Sequence, residues 1–133
     1  MRKRACVIII DDNKILLMHR IKNWKEYYTI PGGWIEKWET PEQTAIREIK
    51  EETNLDIVLE NIFCRIVDKW HDGTYYLTRR FIGTEKLWWP ESLKIKIDNQ
   101  YDLQRIKKEE LVKIPLLPLE IKHKIIEYFD TNN

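Results

Sequence analysis

The sequence predicts an α+β fold with a mixed β-sheet, on three observations. Two apolar runs, ACVIII (5–10) and ILLMHR (15–20), flank the turn-rich DDNK, the pattern of a β-hairpin. A second pair of strands, within DIVLENIFCRIVDKW and TYYLTRRFIG, is joined through His71-Asp72-Gly73, a hairpin turn signal. Helical signals occur only between these pairs and near the C-terminus. That order is not the regular strand–helix alternation of a doubly wound parallel sheet.

The remaining elements follow in chain order. A short strand around Tyr27–Ile30 leads into Pro31-Gly32-Gly33. Thr40-Pro41-Glu42-Gln43 is a helix start, with Thr40 at the N-cap, Pro41 at the first helical position and Gln43 completing a capping box. The helix should run to about Thr53. Asn54 then suits the left-handed position after the last turn, where only glycine is more favourable. WWPES interrupts the strand pattern, LKIKID reads as a further strand or edge, and KKEELVKI as a short helical turn. Ile121, Ile125 and Phe129 recur at helical spacing, with Ile126 widening the stripe, so a last helix should pack on the core.

A chain of 133 residues with 43% hydrophobic content is expected to form one domain, residues 1–133, around a packed core. Its net charge of +1 shows no design for coating nucleic acid or a membrane, so an anionic partner must be bound locally. The basic and apolar start, MRKRACVIIIDDNK, has too short an apolar run for a secretion signal, and DDNK replaces a small-residue cleavage site. No segment approaches the ~20 apolar residues that span a bilayer. Cys6 and Cys64 sit among apolar neighbours without metal-type spacing and read as reduced, buried thiols. These features predict a soluble, cytoplasmic protein.

The helix after Thr40 carries the chemistry. At about 100° per residue, Ala45, Ile46 and Ile49 form an apolar face. Glu48, Glu51 and Glu52 share a different face, with Arg47 at its edge. Like charges at this spacing cost roughly 0.2–0.5 kcal/mol per pair. Carboxylates at a helix C-terminus also oppose the macrodipole, by about 0.3–1 kcal/mol each. Energetics alone therefore permit a plain solvated helix. The upstream Gly32-Gly33, in a chain with four glycines, implies an unusual bend or a close approach. Such backbone beside converging carboxylates makes a hard-cation site, since magnesium prefers oxygen ligands and binds through a few carboxylates plus substrate phosphates.

The spacing of these residues resembles the signature box of the Nudix hydrolases. Gly33, five residues, Glu39, seven residues, then Arg47-Glu48-Ile49-Lys50-Glu51-Glu52-Thr53-Asn54-Leu55 departs from it at one fixed position: Asn54 stands where the family has glycine. The resemblance implies an α/β/α sandwich with a mixed sheet. It also implies hydrolysis of a nucleoside diphosphate linked to another moiety, by water attack on phosphorus. Carried over, Glu48, Glu51 and Glu52 would bind Mg²⁺ or Mn²⁺, with the Gly32 carbonyl as a further ligand. Arg47 would orient the glutamates, and Glu39 would support the site from the helix entry. Either Glu51 or Glu52 could activate the water, or an acid outside the box: Glu91, Asp98, Asp102 or Glu109, of which Asp102 lies nearest to where related chains place one.

Substrate contacts are less constrained. Trp34, or Trp24, Tyr27 and Tyr28 before the glycines, could stack on a nucleobase. Adjacent Trp88 and Trp89 cannot both face inward on a strand, so one could line a cleft or a homodimer interface. Arg20, Arg79 and Arg80 are candidates for holding a phosphate. His71 reads as a turn residue. The rival reading is a Nudix-fold nucleotide sensor without catalysis, whose expected mark, loss of a box glutamate, is absent. The sequence leaves the substrate open.

Overall fold

The computed structural model describes residues 2–69, 71–86 and 99–131. Trp70, Trp88, Trp89, Glu91, Asp98 and the LKIKID strand expected from the sequence lie outside the described residues. Strands β1 (Lys3–Asp11), β2 (Lys14–Lys22), β3 (Lys25–Thr29) and β4 (Gly32–Trp34) precede helix α1 (Pro41–Thr53). After α1 come β5 (Asp56–Val58), β6 (Asn61–Val67), β7 (Asp72–Thr78), β8 (Arg80–Ile82) and β9 (Asn99–Lys107). A 3-10 turn (Lys108–Lys113), β10 (Leu116–Leu117) and helix α2 (Leu119–Thr131) complete the described chain.

Strand β1 shows why the chain layers as it does. Ala5, Val7 and Ile9 pack with Ala45 and Ile49 of α1 and with Leu55, whereas Cys6, Ile8 and Ile10 pack with Ile121, Ile125 and Phe129 of α2. A strand covered on both faces needs a continuous apolar run, which is what ACVIII supplies. The α/β/α sandwich implied by the Nudix resemblance is therefore the observed architecture, with α1 on one face and α2 on the other. The sheet is mixed because β1 runs parallel to β7, pairing Lys3 with Asp72 through Ile9 with Thr78, while the other long pairings are antiparallel.

The sheet is also split. Strands β1 and β2 pair only beside their turn, at Ile10–Ile15 and Asp11–Lys14. Beyond it, β1 takes β4 on that edge, and β2 takes β3. The segment Ile30–Gly33 crosses between the two halves, and a cleft opens where the strands part.

Two elements differ from expectation. Strand β9 pairs with β2 over nine residue pairs, from Lys14–Lys107 to Lys22–Asn99. Its sequence, NQYDLQRIK, alternates weakly and is mostly polar, so hydrophobic alternation does not mark it as a strand. The segment after α1 is two strands, since β5 pairs with β8 in a separate two-stranded sheet while β6 pairs with β7 as the expected hairpin. Both cysteines are free, Cys6 buried and Cys64 half-buried. No described helix is long and apolar enough to cross a membrane.

Helix α1 begins and ends as its sequence dictates. The Gln43 amide donates to Thr40 Oγ1 (3.1 Å) and the Thr40 amide to Gln43 Oε1 (2.9 Å), a complete capping box. Asn54 is left-handed at φ 69°, and its amide donates to the Lys50 carbonyl. A side chain with a Cβ costs about 1–2 kcal/mol in that conformation, less for asparagine. Replacing Asn54 by Ala should therefore lower stability by about 1 kcal/mol, and replacing it by Gly should not lower it. Urea denaturation of the two variants checks this; an Asn54→Ala chain as stable as the parent would refute the capping account.

Candidate functional site

The double glycine is short strand β4, placed there by close approach. A Cβ on Gly32 would lie 2.4 Å from the Ala5 carbonyl oxygen and 2.5 Å from Cys6 Cα. A Cβ on Gly33 would lie 2.2 Å from Glu48 Cδ and 2.6 Å from each of its carboxylate oxygens. Glycine at both positions thus lets β4 lie against β1 and lets the Glu48 carboxylate occupy the space where a side chain would be.

Arg47 organises the acids. Its Nε and Nη2 donate to Glu39 Oε2 (2.6 Å) and Oε1 (2.9 Å), a bidentate pair, and its Nη1 reaches Glu48 Oε1 (2.9 Å) and Glu51 Oε2 (3.3 Å). Thr44 Oγ1 and the Glu36 amide also donate to Glu39 Oε1, at 2.9 and 3.2 Å. The fourth acid is aligned from the other side, where the Gly32 amide donates to Glu52 Oε2 at 3.4 Å. The Gly32 carbonyl accepts from Arg4 Nη2 at 3.3 Å. The structure therefore gathers Glu39, Glu48 and Glu51 on Arg47 and ties Glu52 to the Gly32 amide.

Titration follows these contacts. Hydrogen bonds from Arg47, more than opposing burial, hold the Glu39 carboxyl down at about 2. Burial pushes the Glu48 carboxyl up, against the pull of Arg47. Hydrogen bonding to Glu39, more than the opposing burial, raises the Arg47 guanidinium above its ordinary range, so it stays charged.

All the box donors are hard oxygens, the ligand type that Mg²⁺ or Mn²⁺ takes. Among the described residues no three His, Cys, Asp or Glu side chains are gathered into a ready-made metal cluster; Glu48 and Glu51 instead share Arg47. The donor set, and the space Gly33 leaves for Glu48, fit a cation that keeps several waters and draws its other ligands from a bound phosphate.

The cleft beside the glutamates has two compartments. The smaller, 230 Å³, is lined by Arg4, Met18, Arg20, Gly32, Glu52 and Tyr101, among others. The larger, 480 Å³, is bounded by Tyr27, Trp34, His71 and Tyr75 and shares Arg4 and Arg20 with the first. Arg20 lies 5.4 Å from the Tyr101 ring centroid and 5.9 Å from that of Tyr27, and its Nε is buried without a hydrogen-bond partner. Arg2 and Arg4 both stack on Trp34, at 4.5 and 5.1 Å. Arg20 and Trp34 thus both line the cleft.

Other candidates fall elsewhere. The β2–β9 register sets Tyr101 opposite Arg20 and Asp102 opposite His19, so alternation sends Tyr101 to the cleft and Asp102 to the other face. There Asp102 contacts His19 Nδ1 at 2.8 Å, while Glu26 takes His19 Nε2 at 2.8 Å. Asp102 is accordingly corrected from an extra acid of the site to a partner of His19. Arg79 donates to Tyr128 Oη at 3.0 Å, and Arg80 lies in β8 opposite Val58, at the end of β7 away from Gly32. Neither is placed to hold a phosphate near the glutamates. Glu109 belongs to the 3-10 turn. Tyr28 is in the α2-side core, and Trp24 is exposed at the β2–β3 turn. The sequence reading missed Arg4, Tyr101 and His71. Arg4 carried a signal, being a charge in phase with Cys6, Ile8 and Ile10.

The fold and the carboxylate helix define a NUDIX-type protein. The NUDIX domain family profile matches residues 1–120, and the chain belongs to that family. Over 49 residues it is 53% identical to an ADP-ribose pyrophosphatase of Methanocaldococcus jannaschii, covering 36% of this chain and 29% of that protein. It is 36% identical over 56 residues to the dihydroneopterin triphosphate diphosphatase of Escherichia coli, covering 42% and 37%. The matched stretches thus span well under half of these relatives. Among solved structures, the MutT structure from work on Aliivibrio salmonicida and Vibrio cholerae superposes with a TM-score of 0.77 at 17% identity, covering 99% of this chain and 98% of that one. The E. coli ORF135 protein gives 0.76 at 22%, covering 96% and 89%.

The Glu39 contacts make a prediction about acid stability. Its folded pKa lies below the ordinary 4.5, so its contribution is full above about 4.5 and is lost as pH falls toward about 2. The stability difference between the parent and Glu39→Gln should therefore be largest near neutral pH and shrink between those values. Denaturant titrations at pH 7, 5, 4 and 3 measure it; a pH-independent difference would remove Glu39 from the ion pair.

Proposed function

We propose that this protein is a metal-dependent pyrophosphohydrolase that cleaves a nucleoside diphosphate linked to another moiety. The observation that carries the reading is the joining of opposite charges across one cleft. Glu52 and the Gly32 backbone stand on one side, and beside them stand Arg4, which donates to the Gly32 carbonyl, and Arg20, whose Nε is buried without a hydrogen-bond partner. A diphosphate answers the arginines, and a divalent cation answers the acids.

Glu48, Glu51, Glu52 and the Gly32 carbonyl would hold Mg²⁺ or Mn²⁺. When bound, such an ion neutralises charge on a diphosphate and makes a coordinated water more acidic. The chain's own residues do the rest. Arg20 and Arg4 grip the diphosphate, and the aromatic compartment shields it from bulk water. Arg47 keeps Glu48 and Glu51 in fixed rotamers and offsets their repulsion. Glu52, in the same compartment as the arginines, takes the proton of the water that attacks phosphorus. The named substrates of the relatives, ADP-ribose and dihydroneopterin triphosphate, both contain a phosphoanhydride, which supports the bond class and leaves the organic moiety open.

Product release from nucleoside triphosphates, ADP-sugars, dinucleoside polyphosphates, NADH and capped RNA, with Mg²⁺, Mn²⁺ or EDTA, tests this directly. One class should be cleaved with metal and none with EDTA. On the substrate so found, Glu52→Gln should lower kcat by about a hundredfold or more while the fold is retained. Full turnover in that variant would remove the glutamate from the chemistry. Arg20→Ala should raise KM by roughly tenfold or more, the scale of a lost charge-assisted hydrogen bond.

A further inference from the structure

We infer that His19 is a positioning residue for Arg20: held as an imidazolium between Asp102 and Glu26, it pins three strands behind the arginine and loses part of that hold when it gives up its proton. This role rests on the proposed hydrolase reading in one respect, that Arg20 grips the diphosphate.

The ring stands on the face of β2 turned away from the cleft, with a carboxylate at each nitrogen. Asp102 Oδ1 of β9 lies 2.8 Å from Nδ1, and Glu26 Oε2 of β3 lies 2.8 Å from Nε2. A neutral imidazole carries one N–H, so it can donate to only one of them and sets a lone pair against the other. Both contacts are hydrogen bonds only when the ring is charged, and they are then charge-assisted bonds across three strands. The His19 side chain is 12% exposed and each carboxylate side chain 58%, so the cation is enclosed while its partners stay hydrated. Asp102 and Glu26 are the charged groups that act on the ring. Burial opposes the imidazolium, but the hydrogen bonds to Asp102 and Glu26 outweigh it and hold the pKa above the ordinary 6.5. Tyr28 of β3 is the other titratable group against the ring, at 4.7 Å between centroids, and burial raises its hydroxyl. That hydroxyl donates to Gln104 Oε1 (3.4 Å), and Gln104 Nε2 donates to Asp102 Oδ2 (3.1 Å).

Each member of this row is the chain neighbour of a residue that lines the cleft. Asp102 follows Tyr101, His19 precedes Arg20, and Glu26 precedes Tyr27. The register sets Tyr101 of β9 and Tyr27 of β3 directly opposite Arg20. Alternation therefore puts one row on each face of the same three strands. Arg20 is sensitive to how those strands align. Its Nε has no hydrogen-bond partner, and its guanidinium is flanked by the Tyr101 and Tyr27 rings, at 5.4 and 5.9 Å. Strand β3 spans only Lys25–Thr29 and β9 begins at Asn99, so Glu26 and Asp102 clamp both strands close to an end, where pairing opens most readily.

Two measurements on the full chain test the assignment, one at the ring and one at the arginine. In an NMR titration the His19 ring should have its midpoint above the ordinary 6.5, and Glu26→Gln and Asp102→Asn should each lower it. A midpoint at or below 6.5, or one that neither substitution moves, overturns the inference. Stability carries the same sign: with the folded value raised, the contribution of His19 is full below about 6.5 and is lost as pH rises through the folded midpoint. The stability difference between the parent and His19→Gln should therefore shrink from pH 6 to pH 9.

The second measurement is affinity for inorganic tripolyphosphate by calorimetry at fixed Mg²⁺, with thermal melting to confirm folding. At pH 6, His19→Gln should weaken binding by about threefold or more, the lower range of couplings between residues in contact. The ratio of parent to variant should fall toward one at pH 9. In an Arg20→Ala chain the same substitution should have no effect, since the ring then has no arginine to place. Equal affinity of the parent and His19→Gln at pH 6 overturns the inference, as does a loss of the same size with and without Arg20. Failure of the diphosphate reading is separately visible: Arg20→Ala would bind tripolyphosphate as tightly as the parent, and the positioning role of His19 would fall with it.

Discussion

Two positions that cannot carry a side chain hold the site together. Gly32 must pass within van der Waals contact of the β1 backbone, and Gly33 must leave its Cβ position to the carboxylate of Glu48. A side chain at Gly32 would collide with the β1 backbone, and one at Gly33 would displace the Glu48 carboxylate from its place beside β4. The capping box, the left-handed Asn54 and the apolar Ala45–Ile49 face then act as further restraints on one helix whose position β4 has already limited.

Charge is arranged around that contact with one internal cation doing several tasks. Three box acids, Glu39, Glu48 and Glu51, converge on Arg47, and a single guanidinium presents enough donors in a rigid plane to serve them all. Lysine, with a compact ammonium and no fork, could not maintain the bidentate Glu39 pair while reaching Glu48. The acids near the helix C-terminus, unfavourable for the macrodipole, are tolerable because their repulsion is offset locally.

How much of this was legible depended on whether the signal was local. The α1 boundaries, the acidic face and the Gly-Gly approach are short-range features, so helical periodicity and cap chemistry were enough to read them. The mixed sheet was legible in the strand and helix signals, whereas the α/β/α layering came only from the resemblance of the box to the Nudix signature; the structure shows that ACVIII, apolar on both faces, is what it rests on. Asp102 misled because its neighbourhood in the sequence is correct but its parity is wrong: only the register with β2 decides that Tyr101 faces the cleft, and register is a long-range property. Arg79 and Arg80 misled for a related reason, since the parallel pairing of β1 with β7 puts them at the far end from Gly32. Strand β9 was missed because a polar edge strand shows little alternation.

Arg4 and Arg20 belong to β1 and β2, strands that share backbone hydrogen bonds only beside their turn. An anion held by both would therefore add a tie between two strands that the main chain joins only at their turn and through the crossing segment Ile30–Gly33. Such a ligand does more than occupy a site: it joins the folding equilibrium as a reactant. At a hundred times its dissociation constant it adds about 2.7 kcal/mol to stability by mass action. The opening of the split sheet, and with it the exposure of its strand edges, would then depend on the concentration of whatever anion the two arginines hold.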